Sequence, residues 1–473
     1  MASNQDLIAM DACAVVQKLR AGEVRPHDLL DALEARVAEV DPAVNALPTL
    51  CFDRARANAD RMMRLPAGER GRLAGLPVPI KDLTDVAGVR STQGSPIFAN
   101  HIPAKSNILV EHLEANGGIV YAKSNTPEFG AGANTFNEVF GATLNPWNTR
   151  RSAAGSSGGA AVALATGMAW VAHGSDMGGS LRNPASFCGI VGMRPSVGRV
   201  AHTPGAKLDG TLSVEGPMAR NVEDLALLYD AMTGEIPRDP LSLAEPRVSF
   251  LDAARSGWKP RKVAYSADLG ITPVDPEVAR LTRAVADKLA DAGIPVAEAH
   301  PDLSEAHECF QVLRALAFAV SRVKLLREHR DLLKPEVIWN IEKGLALTVD
   351  EIAKAEAQRV ALAGRMLVFF DEYDLLLCPA TIVAAFPVEE RYLAACAGHR
   401  FETYIDWLAI AYAPTLCCCP ALSLPCGFTS EKLPVGLQIV GPARGDARVL
   451  AGAKLIEDML GLRHTTPIAP RVA

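Results

Sequence analysis

The chain has 473 residues, of which 49% are hydrophobic and 22% are charged, and its formal net charge is −6. This length and balance predict a globular protein with a large core, and the charge gives no indication of the basic surface that nucleic acid requires. The longest apolar stretch falls below the ~20 residues that span a bilayer, and the first residues lack the segments of a signal peptide. We therefore expect a soluble, cytoplasmic protein.

Residues 1–70 predict a helical segment that packs on the rest of the protein, because apolar residues recur there at helical spacing. These residues are Leu7, Ala14, Val15, Leu19, Leu29, Leu30, Leu33, Val37 and Val40. From about residue 71, short apolar runs alternate with helical segments, which is typical of a sheet covered by helices on both faces. The runs are residues 78–80, 108–113, 118–122, 160–165 and 170–172.

One helix and one loop separate the two halves of this pattern. Asn221 is a typical N-cap for a helix over residues 222–232, and Gly234 is a typical stop signal. Residues 233–262 are rich in Pro, Ser and Arg and lack periodicity, which predicts a connecting loop. Residues 263–473 then continue the same domain.

The second half resumes the alternation of strands and helices. Proline suits the first turn of a helix, where its missing N–H is not needed. The predicted elements are a strand at 262–265, a helix over 275–292 that begins with Pro276, a strand at 294–298, helices within 303–373 including one that begins at Pro335, strands at 375–378 and 435–440, and a helix over 446–460.

Ten cysteines are scattered along the chain, and three of them are adjacent at Cys417, Cys418 and Cys419. No pair has the spacing of a zinc site, and adjacent cysteines suit neither tetrahedral metal geometry nor a disulfide framework. We interpret the cysteines as small buried apolar residues of a protein in a reducing compartment, and we predict no metal site.

Ser180 stands in a glycine-rich setting that a hydrophobic core does not need. It follows Gly178 and Gly179, and glycine lets the backbone approach a ligand closely. A serine at such a position can present its hydroxyl and several backbone N–H groups to one point, which is the equipment of a nucleophile beside an oxyanion hole. Ser156, within residues 155–159, has a similar setting.

Residues 155–159 also fit the G-x-S-x-G nucleophile elbow, with Ser157 at the centre. That motif needs a preceding strand, and residues 145–151 are polar and interrupted by proline, which disfavours a strand. A phosphate-binding loop is disfavoured because no Lys-Ser/Thr pair follows in register. A tight loop without chemical function is a further alternative.

Ser180 needs a base, and spacing assigns none of the ten histidines to it. His173 lies on an apolar run and is more typical of a packed, hydrogen-bonded histidine. Lys81 follows an apolar run with two prolines, which predicts a buried strand end, and a desolvated lysine loses proton affinity and can act as a base. Burial alone leaves open the alternative that Lys81 extends to water.

Residues 75–200 resemble the amidase signature family of serine hydrolases. The matching segments are residues 76–82, 123–129, 155–159, 178–185, 187–192 and, near the C terminus, 433–442. Residues 235–420 match only diffusely. The resemblance implies an α/β fold, namely a single large domain with a catalytic core over 71–232, a mixed and mostly parallel central sheet covered by helices on both faces, and substrate-pocket helices within about 303–410.

The resemblance also implies a Ser–cis-Ser–Lys triad. It assigns Lys81 as the base, Ser156 as the bridging serine after a cis peptide bond, and Ser180 as the nucleophile. The implied oxyanion donors are the backbone N–H groups of Met177, Gly178, Gly179 and Ser180. Supporting roles fall to Ser157, Asp176 and Arg182. No metal or other cofactor is implied.

Two departures from the family pattern bear on the substrate. Asn183 stands where the family's tRNA-dependent amidotransferase subunits usually carry Gln, and Met177 stands where Thr is common; both disfavour an amidotransferase. We therefore expect a free-standing hydrolase of amides, aryl amides or carbamates, with esters as side substrates. A subunit of a glutamine-dependent tRNA amidotransferase and a catalytically silent binding protein are the alternatives.

The expected pocket borders Ser180 and uses Asn125, Glu128 and Phe129. Aromatic residues of the 303–410 region favour a bulky or apolar acyl or aryl group, although such residues are more typical of a core. They are Phe310, Phe318, Trp339, Tyr404 and Trp407. The expected partner is a small-molecule amide or carbamate. Neither nucleic acid nor a membrane is expected, and a homodimer is left open.

Overall fold

The structure is a computed structural model that describes residues 3–203 and 210–472. The helices are α1 (Asn4–Ala9), α2 (Ala12–Ala21), α3 (Pro26–Val44), α4 (Phe52–Met63), α5 (Ile108–Ala115), α6 (Gly158–Ala165), α7 (Arg182–Cys188), α8 (Val222–Met232), α9 (Phe250–Ala254), α10 (Pro276–Asp291), α11 (Ala306–His329), α12 (Pro335–Leu345), α13 (Val349–Glu372), α14 (Ala409–Leu416) and α15 (Asp446–Leu460). The strands are β1 (Thr49–Leu50), β2 (Pro77–Lys81), β3 (Ile119–Ser124), β4 (Phe136–Asn137), β5 (Gly141–Ala142), β6 (Val171–Asp176), β7 (Val191–Arg194), β8 (Val214–Ala219), β9 (Val263–Tyr265), β10 (Val296–Glu298), β11 (Leu375–Pro379), β12 (Ala395–Cys396), β13 (His399–Arg400), β14 (Ala421–Phe428) and β15 (Pro434–Val440).

The central sheet has eight strands in the order β10-β9-β11-β15-β14-β7-β8-β6. Its β10-β9-β11 part is parallel, and every other neighbouring pair is antiparallel. The α/β class and the mixed sheet flanked by helices are confirmed, but the expectation of a mostly parallel sheet is wrong. Buried strands of either direction read as continuous apolar runs, so the sequence pattern does not reveal their direction.

A smaller sheet, in the order β1-β3-β2, carries the predicted base. Strands β2 and β3 are parallel, with Lys81 opposite Ser124. The backbone N–H of Lys81 donates to His173 Nδ1 at 3.3 Å, and His173 belongs to β6, the edge strand of the central sheet. The end of β2 therefore lies against β6, and this junction between the sheets positions the candidate site.

Local signals in the sequence place several element boundaries well. The Asn221 side chain accepts from the backbone N–H of Asp224 at the start of α8, and Asp275 caps α10, whose first residue is Pro276. Two apolar runs, 108–113 and 160–165, lie in helices α5 and α6 rather than in strands. Every residue of α6 is buried, and a helix that is apolar all round has the same sequence pattern as a buried strand.

The predicted loop at 233–262 contains one short helix, α9. Among the helices of the described residues, none has the length and apolar character needed to cross a bilayer. All ten cysteines are free thiols, and most of them are buried, which agrees with their interpretation as small apolar residues.

Candidate active site

The Lys81 side chain is fully buried at the end of β2 and is surrounded by serine hydroxyls. Its Nζ donates to the Oγ atoms of Ser156 at 2.7 Å, Ser157 at 2.8 Å and Ser175 at 3.0 Å. Lys81 forms no ion pair with any residue in 3–203 or 210–472. The alternative of a lysine extended to water is therefore excluded by the structure.

A second buried lysine shows how unusual this environment is. Lys123 Nζ, on the neighbouring strand β3, lies 3.0 Å from Asp82 Oδ1 and also donates to the carbonyl oxygen of Thr84 and to Ser91. A carboxylate thus compensates the charge of Lys123, whereas the direct partners of Lys81 are neutral hydroxyls, which can accept from a charged amine and can also donate to an uncharged one.

Burial lowers the pKa of Lys81 to about 7, against the opposing effect of the negative charges of Glu215 and Asp176. An amine with this pKa is largely uncharged just above neutral pH. It can then accept a proton from a hydroxyl, which a lysine with its ordinary pKa of ~10.4 does poorly at that pH.

The buried His173 and the partly buried Glu215 form a pair behind Lys81. His173 Nδ1 accepts the backbone N–H of Lys81, so the ring proton is on Nε2, which lies 2.7 Å from Glu215 Oε2. Burial opposes ionisation of Glu215, but the hydrogen bond from His173 holds the pKa of Glu215 below its usual value. His173 is thus a packed, hydrogen-bonded histidine, as the sequence favours, and it does not contact Ser180.

The loop before α6 presents Ser156 and Ser157 to Lys81. The peptide bond between Gly155 and Ser156 is cis. A Cβ atom on Gly158 would lie 2.3 Å from Thr135 Oγ1, so only glycine fits there. No strand precedes this loop in the described residues 145–157, which removes the nucleophile-elbow alternative. The Ser157 hydroxyl instead faces Lys81 and the Ser175 carbonyl oxygen.

Asp176 and Arg182 hold the loop that carries Ser180. The Asp176 carboxylate accepts from Nε and Nη2 of Arg182 at 3.0 and 2.8 Å and from the backbone N–H of Gly179 and Leu181. Burial opposes its ionisation, but Arg182 brings the pKa of Asp176 down to about 2. The fully buried Arg182 also donates to Gln438 of β15, which fixes the loop to the central sheet.

The same loop contains unpaired backbone donors. The N–H groups of Met177, Gly178 and Ser180 have no hydrogen-bond partner among residues 3–203 and 210–472, and such donors are rare inside proteins. The N–H of Gly179 donates to Asp176 Oδ1 at 3.0 Å. Of the four N–H groups predicted from the sequence to hold an oxyanion, that of Gly179 is therefore already engaged by the turn that fixes the loop.

Ser180 is partly exposed and lies against the Ser156–Ser157 loop. The N–H of Ser157 donates to the carbonyl oxygen of Ser180 at 3.2 Å. Within the described residues, the Ser180 hydroxyl makes no hydrogen bond, so the structure joins Lys81 to Ser156 directly but leaves the Ser156–Ser180 contact open. A Cβ atom on Gly130 would lie 3.3 Å from Ser156 Oγ, so the Gly130 backbone lies against the Ser156 side chain.

The three predicted pocket residues have different surroundings. The Asn125 side chain is fully buried and bonds to Thr143 and Asn137, so it belongs to the scaffold and not to a pocket wall, contrary to expectation. Glu128 is also buried, and its two oxygens accept from Ser95 Oγ and from the backbone N–H of Lys334. Phe129 is buried in a small apolar cluster with Phe318 and precedes Gly130, whose backbone lies against Ser156.

Of the predicted aromatic residues, two lie near the loop that carries Met177 and Gly178, and three are packed in or against the core. Phe310 stacks on Tyr412, with ring centroids 4.1 Å apart, and a Cβ atom on Gly178 would lie 3.3 Å from the Phe310 ring. Phe318 lines a cavity of about 170 Å³ together with Met177. Trp407 and Tyr404 are buried in the core, and Trp339 packs against it.

Sequence reasoning did not assign Ser175 or Glu215. Ser175 stands directly before Asp176 in the glycine-rich motif, so its place in the motif is a signal that could have found it. Glu215 lies on β8 and reaches the site only through the pairing of β8 with β6, which the sequence does not show.

Comparison with known proteins defines the class of this fold and site. The family model described as Amidase matches residues 28–450. An acylamidase from Rhodococcus erythropolis is 33% identical over 462 residues, which cover 96% of each chain. A glutamyl-tRNA(Gln) amidotransferase subunit from Halothermothrix orenii is 31% identical over 480 residues, which cover 95% of this chain and 97% of that one.

Among solved structures, a bacterial aryl acylamidase of the amidase signature enzymes family matches with a TM-score of 0.88 and 26% identity, over 97% of this chain and 99% of that one. The chain is therefore an enzyme that hydrolyses amide C–N bonds, and it belongs to the amidase family.

Proposed function

We propose that the chain is a free-standing amidase of the acylamidase type, which acts through an acyl-enzyme on Ser180. The observation that carries this proposal is the setting of Lys81, a fully buried amine held by three serine hydroxyls beside a loop with three unpaired N–H groups. A neutral amine among hydroxyls is equipped to move protons, and a loop of free donors is equipped to bind an oxyanion.

The first half of the reaction forms the acyl-enzyme. This step requires the Ser180 hydroxyl to reach Ser156, and the loops of the two residues are already joined by the Ser157–Ser180 backbone hydrogen bond. Lys81 takes the proton of Ser156 while Ser156 takes that of Ser180, whose oxygen bonds to the substrate carbonyl carbon. The proton then returns through Ser156 to the amide nitrogen, the C–N bond breaks, and the amine leaves neutral.

The second half releases the acid. Water attacks the acyl carbon and gives its proton through Ser156 to Lys81, and return of that proton to the Ser180 oxygen accompanies cleavage of the ester C–O bond. In both halves the N–H groups of Met177, Gly178 and Ser180 stabilise the oxyanion, and one such donor is typically worth ~10²–10³-fold in rate. The net reaction is amide plus water to carboxylic acid plus amine.

Several observations support a small-molecule amide as the substrate. One relative is an acylamidase, and a matching solved structure is an aryl acylamidase. The cavity beside Met177 includes apolar side chains such as Leu313 and Phe318, which suits an apolar acyl or aryl group. Carbamates and esters fit the same chemistry. The free thiols favour a reducing compartment such as the cytoplasm. We also propose that the chain can form a homodimer.

The second candidate is a subunit of a tRNA amidotransferase, which the identity to such a subunit supports. The two candidates separate in one assay. We expect the purified chain alone, without ATP, tRNA or a partner, to release 4-nitroaniline from an acyl 4-nitroanilide with multiple turnovers. Absence of turnover on anilides, aliphatic amides and aryl carbamates, together with glutamine hydrolysis only when a partner protein is added, would favour the amidotransferase alternative.

A further inference from the structure

A guanidinium group with an unused hydrogen-bonding edge lines the cavity next to the site. Arg322, on α11, borders the same cavity as Met177 and Phe318. Its guanidinium carbon lies 4.7 Å from the centre of the Phe318 ring and 5.1 Å from that of Phe129. Two aromatic rings thus hold the group in place.

The free edge of Arg322 is the one that binds carboxylates elsewhere in this protein. Arg182 uses Nε and Nη2 on Asp176, and Arg391 uses Nε and Nη2 on Glu336 at 2.8 and 2.7 Å. In Arg322 the Nε atom is buried without a partner, and neither Nε nor Nη2 donates to a residue in the described parts of the chain. Its Nη1 donates to Ser321.

Among residues 3–203 and 210–472, no carboxylate forms an ion pair with Arg322. Glu128 is close enough to influence it, but both Glu128 oxygens accept other hydrogen bonds, and Arg322 forms no ion pair with any described residue. Burial, and then the neighbouring Arg314, lower the pKa of Arg322 to about 10, so the group stays charged at neutral pH. Arg359 on the same cavity also lacks an ion pair within the described residues, and the carboxylate on this wall, Glu356, is exposed.

The position of Arg322 relates it to the reacting groups. Phe129 packs against it and precedes Gly130, whose Cα approaches Ser156. Met177, with its unpaired N–H, lines the same cavity as Arg322. A substrate whose carbonyl group sits at Ser180 can therefore extend its chain from the site toward Arg322.

We infer that the preferred substrate is an amide that carries a carboxylate, and that the Nε–Nη2 edge of Arg322 binds that carboxylate. This inference rests on the proposed function, because it takes the bound carboxylate to be part of the substrate that Ser180 attacks. A planar carboxylate matches this edge in a bidentate arrangement, and a buried donor pair left empty by a neutral substrate makes the site discriminate against it.

Binding without turnover tests the inference by itself. Ser180→Ala protein is titrated calorimetrically with 4-phenylbutyrate and with 4-phenylbutyramide, which differ in charge but hardly in size. We expect the acid to bind at least ~10-fold more tightly, and Arg322→Gln in the same background to remove that preference. Arg322→Lys keeps the positive charge but loses the paired donor geometry of the guanidinium, so this variant should keep only part of the preference for the acid. Arg327→Gln, a substitution at an exposed position of the same helix, should keep the whole preference for the acid.

Turnover then separates this inference from the proposed function. The ratio of kcat/KM for adipic acid mono(4-nitroanilide) to that for hexanoic acid 4-nitroanilide should exceed 1 and fall at least ~10-fold in Arg322→Gln, through KM. Equal binding of acid and amide, or a preference that survives Arg322→Gln, would overturn the inference. Arg322-dependent binding of the acid without turnover of either anilide would uphold it and count against the proposed function.

Discussion

Ser180→Ala is expected to lower kcat for an acyl 4-nitroanilide by at least ~10⁴-fold, because it removes the proposed nucleophile from the loop that carries the unpaired N–H groups of Met177 and Gly178. The substitution removes one partly exposed oxygen that makes no hydrogen bond to a described residue. Its effect on the free energy of unfolding should therefore stay within ~0.5 kcal/mol. The measurement is 4-nitroaniline release, with thermal unfolding followed in parallel.

Ser304→Ala is the control, since Ser304 is an exposed serine that does not line the cavity beside Met177. It should keep kcat within ~2-fold of the wild type, as most surface substitutions do. A Ser180→Ala protein that stays folded and retains more than a tenth of the wild-type kcat would show that another residue performs the attack.

Lys81→Met is expected to lower kcat by at least ~10³-fold and to remove the dependence of the rate on a group with a pKa of about 7. Methionine fills nearly the same volume, so the loss reports on the amine and not on a cavity. Three serine hydroxyls lose their donor, and we expect a loss of stability of ~1–3 kcal/mol. The measurement is kcat and kcat/KM between pH 5 and 9.

Lys123→Met provides the contrast, because Lys123 is equally buried but is paired with Asp82. Its removal leaves a buried carboxylate uncompensated, which typically costs ~3–5 kcal/mol of stability. The folded fraction should keep the pH dependence of the wild type. If Lys81→Met instead kept wild-type rates at pH 7 while Lys123→Met lost them, Lys81 would not be the base.

The parts of the fold that follow from local chemistry could be predicted. The caps at Asn221 and Asp275 and the proline that begins α10 depend on a few adjacent residues, and the structure places those helices as expected. The direction of the central strands could not be predicted, because it depends on which strands pair. The apolar helix α6 was indistinguishable from a strand for lack of a polar face.

In the site, too, the features that depend on adjacent residues could be predicted, and those that depend on distant contacts could not. The glycine-rich motifs single out Ser156 and Ser180, the family resemblance assigns Lys81, and the structure brings Lys81 and Ser156 into contact. The engagement of the Gly179 N–H by Asp176 depends on how one turn closes. The placement of Glu215 behind Lys81 depends on two strands far apart in sequence. Neither arrangement leaves a pattern in the residues themselves.

Glu215 connects the geometry of the site to its pH dependence. Its negative charge raises the pKa of Lys81, which burial lowers to about 7. Since Lys81 accepts a proton only when uncharged, activity should rise with pH through the pKa of Lys81. Glu215→Gln removes a charge that stabilises the protonated amine, so the pKa of Lys81 should fall and the rise in activity should move to lower pH.

The most direct test of the proton relay is the rate at which a fluorophosphonate labels the protein, measured against pH in the wild type and in Glu215→Gln, with the labelled residue mapped by mass spectrometry. We predict a label on Ser180 alone, a wild-type rate that rises to half its maximum near pH 7, and the same rise at lower pH in Glu215→Gln. A label on a different residue, or a labelling rate that is constant between pH 5 and 9, would contradict the account.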